Sequence, residues 1–138
     1  MNTGAKHRAR VKKAMKMICV DGDLFGRIRL KRRAKAIMPD AEIYSSKSPK
    51  AAMQRAAAVG CDMLLTEIKF GERQYTGVDL AEEIKKRNPR VNIIFVTFCP
   101  EKEYAYRLFD LRISGYLTKP YQVQELEEEF QNLRYPIT

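Results

Sequence analysis

The residues best suited to chemistry are five polar side chains, each at or just after the end of an apolar run of strand length. Carboxylate oxygens are the ligands that Mg²⁺ prefers, while ammonium and hydroxyl groups bind the oxygens of a phosphoryl group. The carboxylates are Asp21, Asp23 and Glu67, the hydroxyl group belongs to Thr97 and the ammonium group to Lys119. If the fold brings them together, these residues predict a phosphoryl site.

The elements that must position these residues alternate between strand-like and helix-like patterns. Mostly continuous apolar runs predict five buried strands, and apolar residues spaced three or four apart predict the helices between them. This alternation predicts a flavodoxin-like (βα)5 fold, a three-layer α/β sandwich whose parallel sheet has the strand order 2-1-3-4-5. That order brings the carboxyl ends of strands 1 and 3 together. The predicted strands are 17–20, 41–45, a segment within 61–68, 92–98 and 115–118, and the predicted helices are 24–37, 49–59, 77–87, 100–111 and 121–133.

Five motifs, taken in order and at their separations, resemble the receiver (CheY-like) domain of two-component response regulators. They are VDGD after strand 1, DMLLTEI at strand 3, TG before helix 3, IIFVTF at strand 4 and GYLTKP at strand 5. The resemblance implies a signalling module, not an enzyme, in which an acidic pair holds Mg²⁺ and an Asp after strand 3 accepts a phosphoryl group from a histidine kinase. It also implies that Thr97 and Lys119 contact that group, that Glu67 stands at the acceptor position, and that Tyr116 is the aromatic switch residue.

Two departures from the family pattern fall on the chemistry. The acidic pair maps onto Asp21 and Gly22, so one metal ligand is missing unless Asp23 substitutes for it. With Asp21 and Glu67 as the remaining acidic ligands, we expect weak or absent Mg²⁺ binding and no other cofactor, because Mg²⁺ demands near-ideal octahedral geometry. The extra methylene of Glu67 displaces the attacking oxygen, so we expect impaired phosphoryl acceptance. Pairing of Glu67 with Lys119 and Thr97 would give either an active-like or an inert state, and the sequence leaves both open.

Charge divides the chain unevenly. Residues 1–35 contain 12 of the 26 Lys and Arg residues but only two acidic residues. We therefore expect a basic flexible arm or expression remnant over 1–15, a receiver-like domain over 16–133 and the start of a linker over 134–138. The three cysteines lack CxxC spacing and lie in or beside apolar runs, which predicts buried free thiols. No apolar run approaches the roughly 18 residues of a membrane-spanning helix, so we expect a cytoplasmic protein.

The expected partners follow from the resemblance. Lys69 and Phe70 replace the Met-Pro pair that receivers usually place after the acceptor strand, which argues against inherited docking of a histidine kinase. Members of this family usually continue into a DNA-binding output domain, so the chain is either a fragment of a transcription regulator or a single-domain regulator. Aromatic residues of helix 4 and strand 5 predict either internal packing or a homodimer through the helix 4, strand 5 and helix 5 face.

Two other functions fit parts of the sequence. VDGDLFG resembles the DxD signature of haloacid-dehalogenase-type phosphatases, Mg²⁺-dependent enzymes in which Asp21 would be the nucleophile and Asp23 the general acid. No acidic pair follows downstream to complete that metal site. The second alternative is a basic nucleic-acid-binding module formed by the arm and by arginines of the first helix, whose affinity would fall steeply with salt. Those arginines are Arg27, Arg29, Arg32 and Arg33.

Overall fold

The computed structural model describes residues 14–137, in which five parallel strands form one sheet in the order β2-β1-β3-β4-β5. Helices cover both faces of this sheet, so the predicted flavodoxin-like fold is confirmed. The strands are β1 (Lys16–Val20), β2 (Glu42–Ser46), β3 (Met63–Thr66), β4 (Asn92–Thr97) and β5 (Gly115–Thr118). The helices are α1 (Leu24–Ile37), α2 (Pro49–Val59), α3 (Gly77–Arg87), α4 (Ala105–Leu111) and α5 (Val123–Gln131), and a 3₁₀ turn, Glu101–Tyr104, precedes α4.

Each face of the sheet has its own apolar core, because successive strand residues alternate between the two faces. Ile18 and Phe95 belong to the core that α2, α3 and α4 cover. Cys19 and Ile94 belong to the core that α1 and α5 cover. Burial on both sides explains why the strand sequences are continuously apolar. The predicted buried free thiols are also confirmed, since all three cysteines are buried and unpaired.

Several element boundaries differ from the predicted ones. Strand β2 ends one residue later than predicted, because its pairing with β1 runs to the last residue, Ser46. The predicted helix over 100–111 is α-helical only from Ala105, and its first turn is 3₁₀. Helix α5 begins at Val123 rather than at residue 121, because the backbone N–H of the N-cap residue Gln122 donates to the Glu125 carboxylate (3.1 Å) and marks its start.

Helix α3 begins close against the end of β3, and a glycine permits this approach. Thr76 is the N-cap, and its hydroxyl oxygen accepts hydrogen bonds from the backbone N–H groups of Val78 and Asp79. A Cβ atom on Gly77 would lie 1.9 Å from the carbonyl oxygen of Glu67, a distance that no side chain tolerates. The first residue of α3 thus packs directly on the residue that follows β3.

The segment after α5 folds back against the start of β4. The amide of Asn92, which is 2% exposed, donates to the carbonyl of Tyr135 (2.8 Å) and accepts from the backbone N–H of the same residue (2.9 Å). Ser114 donates to the same amide oxygen (2.7 Å). Lys85 and Arg90 lie 5.1 and 5.3 Å from the centre of the Tyr135 ring. Tyr135, which lies in the segment 134–138 predicted as the start of a linker, is therefore in contact with the sheet.

Within residues 14–137, no helix is long and apolar enough to cross a membrane. Residues 1–13 of the predicted basic arm lie outside the described residues, as does residue 138. The arm's proposed contribution to nucleic-acid binding therefore stays a prediction.

Candidate functional site

The predicted site residues meet at the edge of the sheet formed by the carboxyl ends of β1, β3, β4 and β5. The backbone N–H of Glu67 donates to the carbonyl of Val20 (2.9 Å), and the N–H of Lys119 donates to the carbonyl of Thr97 (2.7 Å). These bonds continue the strand pairing by one residue and fix the relative heights of the side chains. Asp21, Glu67 and Thr97 are all buried.

The ammonium group of Lys119 lies between two carboxylates. Its Nζ donates to Asp21 Oδ2 (2.7 Å) and lies 3.4 Å from Glu67 Oε2. The Lys119 side chain is 15% exposed, so solvent screens this arrangement little. The other oxygen of Asp21, Oδ1, accepts from the backbone N–H of Asp23 (2.9 Å), which fixes the orientation of this carboxylate.

Glu67 also engages the hydroxyl group predicted to contact a phosphoryl group. Thr97 Oγ1 donates to Glu67 Oε1 (2.8 Å) and accepts from the backbone N–H of Cys99 (3.1 Å). Glu67 Oε2 is the one buried side-chain oxygen or nitrogen in the described chain without a hydrogen bond. Its 3.4 Å separation from Lys119 supplies electrostatic attraction without hydrogen-bond geometry. Glu67 thus contacts both predicted phosphoryl-binding groups, but only its Oε1 atom has a hydrogen bond.

Burial dominates the titration of Glu67. Loss of hydration raises the pKa of its carboxyl group above the ordinary 4.5, although the Thr97 hydrogen bond and the Lys119 charge oppose that rise. The balance is reversed at Lys119. Burial alone would lower the pKa of this amine, but the hydrogen bond to Asp21 and the charge of Glu67 raise it above 10.5. The ammonium group therefore stays protonated at neutral pH. Of the two groups, only Glu67 has its pKa shifted in the direction that burial favours.

Asp23 has a structural task at this edge. Its carboxylate accepts from the backbone N–H of Gly26 (2.7 Å) and caps the N-terminus of α1. Gly26 allows the helix to start here, since a Cβ atom on it would lie 2.8 Å from Asp21 Oδ2. The phosphatase alternative requires Asp23 as a general acid, whereas here its carboxylate is occupied as a cap.

The residues at this edge do not fit a Mg²⁺ ion. Gly22 contributes no side-chain ligand, and Lys119 already places a positive charge between the carboxylates of Asp21 and Glu67. No group of three or more His, Cys, Asp or Glu side chains in residues 14–137 is arranged to hold a metal ion. A divalent cation would have to displace an ammonium group and find further oxygen ligands.

Tyr116, predicted as the switch aromatic, is half-buried and turned towards the loop after β4. Its hydroxyl donates to the carbonyl of Cys99 (2.6 Å), and its ring centre lies 6.1 Å from that of Phe95. Burial raises the pKa of its hydroxyl group. Of the other predicted packing or dimer aromatics, Tyr104 packs on the core, whereas Tyr106 and Phe109 are 91% and 84% exposed.

Two residues that the sequence interpretation did not assign to the site also touch it. Arg27 donates from its guanidinium group to the carbonyl of Asp21 (2.8 Å) and holds the end of β1 against α1. The ring of Phe98 lies 5.4 Å from Lys119 Nζ, although 69% of this residue is exposed. The sequence signal for Phe98 was its position directly after Thr97. The predicted strand over 92–98 would have buried it, whereas β4 ends at Thr97 and leaves Phe98 exposed.

Comparison with known proteins identifies the family. The model of the response regulator receiver domain matches residues 17–131, so this chain belongs to that family. Receiver domains are signalling modules of two-component systems, and they are not typical enzymes.

The curated relatives are regulatory proteins longer than this chain. Transcriptional regulatory protein NatR of Bacillus subtilis (strain 168) is 36% identical over 94 residues, which are 67% of this chain and 39% of NatR. Sensory transduction protein LytR of Staphylococcus haemolyticus (strain JCSC1435) is 23% identical over 124 residues, or 90% of this chain and 47% of LytR. The chain therefore spans less than half the length of either relative.

Solved structures support the fold. The chemotaxis protein CheY4 of Vibrio cholerae superposes with a TM-score of 0.73 at 16% identity, covering 86% of this chain and 98% of that one. A response regulator receiver domain protein from Clostridium thermocellum gives 0.72 at 21% identity, covering 86% and 92%. At these identities the likeness concerns the fold alone.

Proposed function

We propose that this chain is a receiver module in which the Glu67 carboxylate replaces phosphorylation as the group that engages Thr97 and Lys119. One observation carries the proposal: Glu67 accepts from Thr97 at 2.8 Å and lies 3.4 Å from Lys119. Those are the two groups that the family resemblance assigns to the phosphoryl oxygens. In this chain a carboxylate of the protein already holds them.

The same contacts argue against phosphoryl acceptance. An attacking carboxylate oxygen must be free to approach the phosphorus atom, yet Glu67 Oε1 accepts a hydrogen bond from Thr97 and Oε2 is buried. Gly22 has no side chain to act as a ligand, so a metal ion that would supply positive charge has no complete binding site. We therefore expect Mg²⁺ to bind weakly or not at all and the module to act without a phosphoryl donor. A histidine kinase is accordingly not its expected source of signal.

The proposed output is control of a DNA-binding partner domain through protein contacts. NatR is named a transcriptional regulatory protein, and this chain corresponds to 39% of its length. Exposed Tyr106 and Phe109 on α4 support a homodimer through the α4, β5 and α5 face, because large aromatic groups that remain in water favour association. In this proposal the contacts of Glu67 favour one arrangement of the α4, β5 and α5 face. Measuring the regulatory output shows whether that arrangement is active or inert.

The test is exposure of the chain to acetyl phosphate or beryllofluoride with Mg²⁺, followed by intact mass and NMR. We expect no covalent adduct and no shift of the Glu67, Thr97 or Lys119 signals. A stoichiometric phosphoryl adduct on Glu67, or a clear response to beryllofluoride, would overturn the proposal.

Substitutions of Glu67 test the role of the carboxylate. We expect Glu67→Ala and Glu67→Asp to change the fraction of dimer, measured as the average mass in solution. In a chain that carries a DNA-binding domain, they should also change the affinity for DNA. Glu72→Ala is the matched control, because Glu72 is exposed on the loop after β3 and has no ion pair within residues 14–137. If all three variants behave like the wild type, Glu67 does not set the state.

A further inference from the structure

A cleft of about 260 Å³ lies beside the candidate site and includes Asp21 and Lys119 in its lining. Helix α1 forms one wall, and the residues that follow β4 and β5 form the other. Asp21 and Lys119 line both regions, whereas Glu67 and Thr97 do not line the cleft. It is therefore a separate space that shares one ion pair with the site described above.

The lining of this cleft carries more positive than negative charge, with Arg29, Arg33 and Lys119 against Asp21 and Asp23. Arg29 and Arg33 line it from consecutive turns of α1, and within residues 14–137 neither has a carboxylate oxygen within 4.0 Å. The carboxylates in the wall are already engaged: Asp21 accepts from Lys119, and Asp23 caps α1. Two guanidinium groups without an ion-pair partner in the described residues are thus available to an anion from solution, and the planar donors of arginine suit the paired oxygens of a carboxylate or phosphonate.

Two aromatic residues, Phe98 and Tyr121, also line the cleft. Phe98 lines it with 69% of the residue exposed. Across the cleft, the Arg33 guanidinium lies 5.2 Å from the centre of the Tyr121 ring, a cation–π distance that orients the arginine. An exposed phenyl ring and arginine side chains in one cleft suit a ligand that pairs a flat apolar part with a negative group. The volume is below the usual range for drug-sized ligands, so it accommodates a molecule with one ring.

We propose that this cleft binds a small aromatic anion, a single ring that carries a carboxylate, phosphate or phosphonate group. The anionic group lies between Arg29 and Arg33, and the ring packs against Phe98. The site would let a small molecule act on the Asp21–Lys119 pair, and hence on the contacts of Glu67, without any phosphoryl transfer. This inference goes beyond the proposed function and does not require it.

The probe is phenylphosphonate, whose carbon–phosphorus bond excludes phosphoryl transfer, titrated against the isotope-labelled chain and followed by NMR. Methylphosphonate supplies the anion without the ring, and phenol supplies the ring without the anion. We expect phenylphosphonate to bind about tenfold or more tightly than either, with shifts centred on Arg29, Phe98 and Tyr121. Equal affinities for phenylphosphonate and methylphosphonate, shifts centred on Glu67 and Thr97, or no binding at millimolar concentration would each overturn the proposal.

Variants separate the two halves of the site. Arg29→Gln and Arg33→Gln should each weaken phenylphosphonate binding about tenfold, the loss expected for a charged hydrogen bond. Phe98→Ala should weaken phenylphosphonate but leave methylphosphonate unchanged. The matched control is Arg32→Gln, because Arg32 is exposed on the same helix but does not line this cleft. If Arg32→Gln weakens binding as much as Arg29→Gln, the effect is general charge and the proposal fails.

Discussion

Reversing the two departures from the family pattern, by Gly22→Asp and Glu67→Asp, should restore phosphoryl acceptance. The space around Gly22 allows this substitution. A Cβ atom at that position would lie 3.7 Å from a Phe70 ring carbon and 3.8 Å from the Lys47 carbonyl oxygen, which are ordinary contact distances. Gly22→Asp therefore adds an acidic residue next to Asp21 whose Cβ atom meets only ordinary contacts. Glu67→Asp shortens the acceptor by one methylene and withdraws its oxygens from Thr97 and Lys119.

The expected gain can be estimated from two terms. Misplacement of a reacting atom by about 1 Å costs on the order of 100-fold in rate, so Glu67→Asp should recover about that factor once the rest of the site is competent. A bound metal ion stabilises the developing charge by several kcal/mol, and about 1.4 kcal/mol corresponds to tenfold in rate. The double variant Gly22→Asp/Glu67→Asp should therefore accept a phosphoryl group from acetyl phosphate at least about 100-fold faster than the wild type. Each single variant should gain less.

The assay is intact mass against time with acetyl phosphate and Mg²⁺, repeated with EDTA. Gly22→Asp/Glu67→Asn is the matched control, because it keeps the added ligand and the shorter side chain but has no carboxylate to attack. Mg²⁺ binding is measured separately by NMR. If the double variant binds Mg²⁺ and still gains no phosphoryl group, position and metal are not what disables the site. Labelling of the wild type at the rate of the double variant would refute the reasoning equally.

Two further predictions concern stability. Burial raises the pKa of Glu67 above 4.5, so the folded state keeps this proton to higher pH than the unfolded state does. The wild type should therefore lose stability relative to Glu67→Gln as pH rises from 4.5 through the raised pKa. Urea unfolding across this range measures the difference, and parallel pH profiles would contradict it. Asn92→Ala should cost about 1–3 kcal/mol and speed amide exchange at Tyr135, because it removes the hydrogen bonds that hold that residue to β4. Asn132→Ala, which removes only an exposed local bond, should cost much less, and an equal loss would show that Asn92 does not fasten the segment.

The sequence predicted the fold because hydrophobic burial determines it at low resolution. Apolar strands buried on both faces and helices with one apolar side leave few topologies, and the strand order follows from right-handed connections. The same topology predicted that Asp21, Glu67, Thr97 and Lys119 meet, since the carboxyl ends of neighbouring parallel strands share one edge. Those positions depend on register, which is set by the alternation of side chains along each strand.

What the sequence did not predict depends on contacts between distant residues. Nothing local to Asn92 indicates that its amide binds both backbone groups of Tyr135, because the two residues are 43 positions apart. Likewise Asp23, which the motif made a candidate ligand, is used as a helix cap, a choice between two roles open to the same carboxylate. The tightness at Gly77 arises only after α3 has docked on the end of β3.

The two departures are also connected by charge. The family pattern would place three acidic side chains around one lysine, a cluster that needs a divalent cation to be stable in a buried site. With Gly22, only Asp21 and Glu67 remain, and Lys119 lies within 3.4 Å of both. One ammonium group leaves a net charge of −1, and the cost of burying it is expressed in the raised pKa of Glu67. If Glu67 takes the place of phosphorylation as proposed, the glycine at position 22 allows the site to be filled without a metal, and the longer reach of Glu67 lets it contact Lys119 and Thr97 at once. On this argument Glu67→Asp alone creates a gap without supplying the metal, which is why both substitutions are needed to recover phosphoryl acceptance.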